Sequence, residues 1–382
     1  MKTIYLDNGA TSYPKAPGVG EAMARYINEI GANVNRGTYA SAATAAMTVL
    51  VARTQLKTLF HFPGEETHVL FTPGATGGLN QLLKGFLRPG DHVIVSGLEH
   101  NAVMRPLTQL LEQGVTFSRI PADRNGVTRA EDLPPLIRPN TRLVLVSHAS
   151  NVCGALIPLR EIAALCREKG LPLAVDAAQT AGHLPIDFAG LGLAALCVPG
   201  HKGLLGPQGI GALLLEPHFA KRLAPLITGG TGSASDSERQ PDYMPDRFES
   251  GTQNLPGIFG LNAALSYLSE IGVPAVMEKE ARLTRRLTEG LDGLPLRIVG
   301  PSDPEQRVGV VSVTFQGLDN AVAAYRLETE HGILTRCGLH CAPNAHRTLG
   351  TFPEGTVRFS MGYATTEAEV DAALSAVRAV CR

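Results

Sequence analysis

Leu143-Val144-Leu145-Val146-Ser147 and Leu173-Ala174-Val175-Asp176 are two runs of almost unbroken apolar residues, each ending in a polar one. Runs of this kind read as strands buried on both faces. Working outward, strand-like runs at 69–71, 92–96, 115–120, 194–198 and 210–215 alternate with helical periodicity at 77–86, 101–112 and 159–169. Residues 41–60 are helical by periodicity and lack Gly or Pro. Such alternation predicts an α/β fold whose large domain has a mostly parallel sheet covered by helices on both faces.

Residues 229–247 are rich in Gly, Ser and Asp and predict an ordered excursion or a partner-contacting loop. After Leu255-Pro256 the pattern changes. Helices at 257–271, 274–291, 321–331 and 367–381 enclose short strands at 297–299, 308–315 and 357–360. This is a smaller C-terminal α+β domain. The expected division is 15–255 for the large domain and 256–382 for the small one, with residues 1–14 packing against the latter. Internal repeats and low-complexity tracts are not seen.

A chain of 382 residues is long enough for one large and one smaller core. Apolar residues make up 44% and charged residues 18%, ordinary for a well-buried protein. With net charge −1 and Arg285-Arg286 as the longest basic cluster, a nucleic-acid partner is not expected. No apolar run approaches membrane-spanning length, and Asp7 comes too early for a signal peptide, so a cytoplasmic protein is expected. The six cysteines, 153, 166, 197, 337, 341 and 381, read as reduced thiols rather than a disulfide framework.

Several residues suggest chemistry. Lys202, in Gly200-His201-Lys202-Gly203, follows the 194–198 strand at the mouth of the sheet, where ligands bind. A lysine desolvated there forms imines at neutral pH; alternatively it is a surface residue in a Gly-rich turn. Asp176 ends its strand at the same edge and either holds a pyridine nitrogen protonated or caps the next helix, with Gln179 three residues on. Gly74-Ala75-Thr76-Gly77-Gly78 opens a helix and can bind a phosphate, but lacks the dinucleotide pattern. His100 either stacks on a ring and shuttles protons or is structural. Arg358 suits a carboxylate, or a surface ion pair. Thr335-Arg336-Cys337-Gly338-Leu339-His340-Cys341-Ala342-Pro343 reads as a small-residue loop whose thiols lie beside a His and an Arg, surroundings that lower a thiol pKa. Cys337, His340, Cys341 and His346 could also hold zinc, but a second ligand pair at finger spacing is missing and no metal is expected. A Lys, an Asp and a thiol are what a pyridoxal phosphate (PLP) enzyme acting on sulfur needs.

Taken in order, these pieces resemble the PLP-dependent cysteine desulfurases and selenocysteine lyases of the class V aminotransferase group, fold type I. The resemblance runs from Tyr5-Leu6-Asp7-Asn8-Gly9-Ala10-Thr11 and Asn35-Arg36-Gly37 through Glu99-His100-Asn101, Ser150-Asn151-Val152 and Val175-Asp176-Ala177-Ala178-Gln179. It continues with Gly200 to Pro207, Arg247-Phe248-Glu249-Ser250-Gly251-Thr252, Arg336 to Pro343, and Arg358.

The resemblance implies that Lys202 carries the cofactor, Asp176 partners the pyridine nitrogen, Gln179 contacts the phenolic oxygen and His100 stacks on the ring. It implies phosphate contacts from Ala75, Thr76 and His201, joined by Thr252 across a homodimer interface that also brings in Arg36. Asn151 would lie beside the ring and the substrate carboxylate, Arg358 would clamp that carboxylate, and Cys341 would attack sulfur. The implied reaction converts L-cysteine to L-alanine, leaving a persulfide on Cys341 for an acceptor protein. A selenocysteine lyase or another class V PLP lyase is the near alternative, and a non-catalytic sulfur-carrier or assembly scaffold the distant one. Two positions depart from the family pattern: Pro199, where relatives often carry a hydroxyl residue, and Cys337, expected to be a bystander.

Overall fold

The two quoted runs lie side by side in the middle of a seven-stranded sheet. The computed structural model describes residues 3–34, 37 and 39–382, so Asn35 and Arg36 lie outside the described residues. Ahead of the sheet come β1 (Ile4–Tyr5), α1 (Val19–Arg25), a π-helical turn at Tyr26–Ile30 and α2 (Ala40–Leu59). The Ala-rich composition of α2 favours helix throughout its 20 residues. Strands and helices then alternate: β2 (Val69–Thr72), α3 (Ala75–Phe86), β3 (His92–Ser96), α4 (Asn101–Leu111), β4 (Thr116–Ile120), β5 (Thr141–Ser147), α5 (Leu159–Glu168), β6 (Leu173–Asp176), α6 (Phe188–Leu191), β7 (Ala195–Pro199), β8 (Gly211–Leu215) and α7 (Pro217–Ala220).

The sheet order is β2-β8-β7-β6-β5-β3-β4, and only β8 runs antiparallel to its neighbours. Alternation along each strand splits the apolar runs between two cores. Val144, Val146, Val175, Leu196 and Val198 enter one cluster, and Leu143, Leu145, Ala174, Ala195 and Cys197 enter the other. Full burial of each large side chain stabilises the fold by about 1.5–3 kcal/mol, which is why no polar residue interrupts these runs.

The chain then forms α8 (Leu255–Ile271), α9 (Val273–Leu291), β9 (Leu296–Val299), β10 (Val310–Phe315), α10 (Asn320–His331), β11 (Ile333–Leu334), β12 (Arg336–Gly338), α11 (Pro343–Leu349), β13 (Thr356–Ser360) and α12 (Glu367–Val380). The start of α12 is a capping box of Thr366 and Glu369. A second, antiparallel sheet has the order β12-β13-β10-β9. Leu283, Leu287 and Leu291 of α9 pack on it with Leu327, Val370 and Val377, and Ile4 and Leu6 join the same cluster. By contrast Leu255, Ile258, Leu261, Leu265 and Leu268 of α8 lie in a cluster of the large sheet.

Residues 229–247 contain no helix or strand and are tied by side chains. Tyr243 donates to Ser233, Ser233 to Asp246, and Gln240 to the Asp246 carbonyl. One expectation is corrected: residues 336–338 are not loop but strand, because their backbone completes the edge of β13. Among the described residues no helix is long and apolar enough to cross a membrane.

Candidate active site

The parallel strands β3, β5, β6 and β7 end at one sheet edge, where the chain leaves them for loops and helix starts. There a cavity of about 410 Å3 lies between the two sheets. Its wall brings together Ala75, Thr76, His100, Asn151, Asp176, Gln179, His201, Lys202 and Arg358, residues separated by up to 283 positions (358 − 75) in sequence. Ser147, Gln208, Arg336 and His340 complete much of the rest.

At one end the helix α3 begins at Ala75, two residues earlier than expected, because Gly74 at φ 109° makes the turn that lets it start. Ala75 and Thr76 therefore stand in the first helical turn, where backbone N–H groups have no partner within the helix. His201 lies opposite, its Nδ1 3.1 Å from Thr11 Oγ1. Burial, with Lys202 and Lys15 nearby, lowers its pKa to about 4, so the ring is neutral.

His100 has the structural role considered for it and also faces the cavity. Its Nδ1 accepts from Ala102 N–H at 3.0 Å, capping α4. That bond leaves the ring proton on Nε2. Burial lowers its pKa to about 4, helped by the positive charges of Lys202, Arg336, Arg105 and Arg358. Beside it the buried Glu99 accepts from Ser96 N, Ser147 N and Ser147 Oγ, tying the ends of β3 and β5 together; burial raises its pKa to about 7.

Asp176 is 4% exposed and accepts from Ala178 N–H at 2.9 Å. That bond caps a turn and not a helix, since no helix follows directly. Burial raises the Asp176 pKa, against the Ala178 bond and Lys202. Burial lowers the Lys202 amine to about 8; the Arg358 and Arg336 charges push it the same way, against Asp176. Gln179 donates through Nε2 to Gly9 O at 3.1 Å, leaving its other N–H and its carbonyl for the cavity.

The opposite wall comes from the small sheet. Arg358 is 1% exposed; its Nη1 donates to Asn151 O at 3.0 Å and its Nη2 to Asp7 Oδ1 at 2.6 Å. Its Nε is buried without a hydrogen-bond partner among the described residues. Arg336 pairs with Arg358 across β12 and β13, so two guanidinium groups face the cavity. From sequence, Arg336 is placed beside the thiols but not in the cavity, and Asp7 has no role. Both lay in quoted motifs, but their meaning depends on strand pairing that the motifs do not show.

Cys341 stands outside the cavity lining, exposed, with its Sγ 3.8 Å from Arg336 Nη2. His340 and Cys341 both have left-handed backbones, φ 47° and 58°. Asn151 Nδ2 donates to His340 O at 2.7 Å, and Asn101 N–H to Cys341 O at 2.8 Å. The expected help from His340 is corrected. Its Nε2 is 2.9 Å from Thr356 Oγ1, and burial, with Arg358 the next cause, lowers its pKa to about 2. The positive group at the thiol is thus Arg336. Cys337 lies on the other face of β12 against the small-sheet cluster, and burial raises its pKa rather than lowering it. His346 turns its Nδ1 to Thr351 Oγ1 at 2.7 Å. Thr252 is exposed and is not part of this chain's own cavity wall.

Similarity to known proteins agrees with this arrangement. The family model for aminotransferase class V matches residues 4–373. A probable cysteine desulfurase of Methanothermobacter thermautotrophicus is 32% identical over 375 residues, 96% of this chain and 92% of that protein. A cysteine desulfurase of Klebsiella pneumoniae is 33% identical over 348 residues, 89% and 84% of the two chains. Among solved structures, the apo cysteine desulfurase of Thermococcus onnurineus superposes with TM-score 0.92 at 31% identity, covering 99% of this chain and 94% of that one. A cysteine desulfurase of Escherichia coli gives 0.88 at 28%, covering 99% and 94%. With a match spanning nearly the whole sequence, the chain belongs to the aminotransferase class V family.

Proposed function

We propose that this protein is a PLP-dependent cysteine desulfurase that converts L-cysteine to L-alanine and leaves a persulfide on Cys341. The observation that carries the reading is a buried lysine and a buried carboxylate at one sheet edge, faced by an unsaturated buried arginine with a thiol just beyond it.

The donor set fits the cofactor. The first turn of α3 at Ala75 and Thr76, with His201, offers neutral donors for a phosphate. Asp176 offers a carboxylate for a pyridine nitrogen, and Gln179 an N–H for a phenolic oxygen. Bound there, PLP would supply an electron sink for charge developing at the substrate's α-carbon.

The chain's own groups would do the rest. Lys202 would hold the cofactor, give way to the substrate amine and then take the α-proton, a task suited to an amine lowered to about 8. Arg358 would fix the substrate carboxylate with its free Nε, and His100 would cover the ring and pass a proton from Nε2. Asn151 holds both Arg358 and His340 and so sets the distance between carboxylate clamp and thiol loop. The Cys341 thiolate, beside Arg336, would take the sulfur. Thr252, exposed on this chain, would complete the phosphate contacts of a second copy in a homodimer. Six unpaired cysteines support a cytoplasmic setting, and the persulfide would pass its outer sulfur to an attacking nucleophile, such as a thiol of an acceptor protein.

The test is alanine release from L-cysteine and L-selenocysteine by the PLP-loaded protein and by Cys341→Ala. The variant should keep the visible cofactor absorbance but lose cysteine desulfuration, while selenocysteine cleavage survives. Full cysteine activity in Cys341→Ala would remove the thiol from the mechanism.

A further inference from the structure

Two turns at the floor of the cavity meet without a gap. One, 177–184, follows Asp176 and carries Gln179; the other, 200–206, carries Lys202. Where they cross, a methyl group on Gly203 would collide with the Ala181 carbonyl and the His183 ring, and one on Gly182 with the Gly203 carbonyl. The His183 ring therefore rests directly on the backbone next to Lys202.

The same ring is held from the far side. His183 Nδ1 donates to both oxygens of Glu280, at 2.8 and 3.1 Å, and the two side chains are 14% and 5% exposed. Glu280 belongs to α9, whose Leu283, Leu287 and Leu291 pack in the small-sheet cluster that also contains Val357 and Phe359 of the Arg358 strand. Burial opposes charge on His183, but the Glu280 charge and hydrogen bond raise its pKa overall; Lys202 is the other charged group acting on it. Paired in this way the ring is fixed in both position and tilt.

We propose that Glu280 and His183 are positioning residues for Lys202, through which the small-sheet layer that carries the carboxylate clamp sets where the lysine turn sits. The proposal rests on the role assigned to Lys202 above. Positioning matters because a displacement of about 1 Å can cost a reaction about 10²-fold in rate.

Amide exchange on the full-length protein tests it directly. Gly200, Leu205 and Gly206 donate backbone hydrogen bonds to Ile210, Lys202 and Gly200, so the turn's order is readable in peptides spanning 199–206. Glu280→Ala should exchange there about tenfold faster, with β3 and α4 as protected as in the wild type. Glu280→Gln keeps an acceptor for Nδ1–H and should stay within about threefold of wild type. With PLP bound and L-cysteine as substrate, Glu280→Ala should lose about tenfold in kcat at a KM within about threefold of wild type. Unchanged exchange at 199–206, or equal loosening of the whole molecule, overturns the proposal. Should Glu280→Ala fail to fold, His183→Ala carries the same expectation, and unchanged protection in it overturns the proposal equally. The exchange measurement needs no substrate, so absence of alanine release from the wild type would reject the desulfurase reading without touching this one.

Discussion

The two walls of the cavity are built on opposite principles. The wall at the end of the parallel sheet carries groups pinned by backbone amides: His100 by Ala102, Asp176 by Ala178, Glu99 by Ser96 and Ser147. The wall from the antiparallel sheet carries long cations, Arg336 and Arg358, and ends in an exposed thiol. The first arrangement excludes water and shifts proton affinities; the second reaches for a carboxylate and meets solvent. Strand-end chemistry is pinned by main-chain N–H groups, whereas the antiparallel wall joins an arginine buried against Asp7 and Asn151 to a thiol open to solvent.

This contrast can be broken one residue at a time. Lys202→Ala should remove all alanine release and the visible absorbance of the PLP-loaded protein, since among the described residues no other lysine lines the cavity; a variant that keeps that absorbance refutes the assignment. Asp176→Ala should stay folded, bind PLP more weakly and lose about 10²–10³-fold in kcat, as expected for a lost electrostatic partner. Turnover within a few-fold of wild type would reduce Asp176 to its turn with Ala178. On the other wall, Arg358→Ala should raise the KM for L-cysteine about 10–100-fold, the cost of one charge-assisted pair; a normal KM would move the carboxylate clamp to Arg336. The smallest change is Cys337→Ala. Because Cys337 faces the small-sheet cluster, alanine release should stay within about threefold and stability should fall by about 1 kcal/mol. Loss matching Cys341→Ala would mean that the two thiols work together.

The parallel sheet was legible because its central strands are buried on both faces and so admit few polar residues. The 173–176 strand needed only an apolar run and a terminal Asp to be placed. The strand 336–338 was not legible, since Arg-Cys-Gly has no apolar pattern and is extended only because β13 offers it an edge. The start of α3 depended on the positive φ of Gly74, which the Gly-rich motif hinted at but did not locate. His340 shows the limit of reading neighbours along a chain. Adjacent to the thiol in sequence, it turns its ring toward Thr356, and the cation that reaches the sulfur comes from five residues upstream. Arg36 lies outside the described residues, and Thr252 is exposed and does not line the cavity of its own chain; the second copy it would serve on the proposed function has no signature in a single chain's sequence pattern.

The two backbone carbonyls flanking the thiol, held by Asn151 and Asn101, have a consequence for delivery. With the main chain at His340 and Cys341 anchored by both bonds, the reach of the sulfur is set chiefly by the cysteine's own side-chain torsions. On the proposed function, a cargo on this sulfur would travel as on a short derrick, its reach set by that side chain and not by movement of the main chain. A recipient would then have to bring its acceptor group to the mouth of the site, since the sulfur stays tethered to an anchored stretch of main chain.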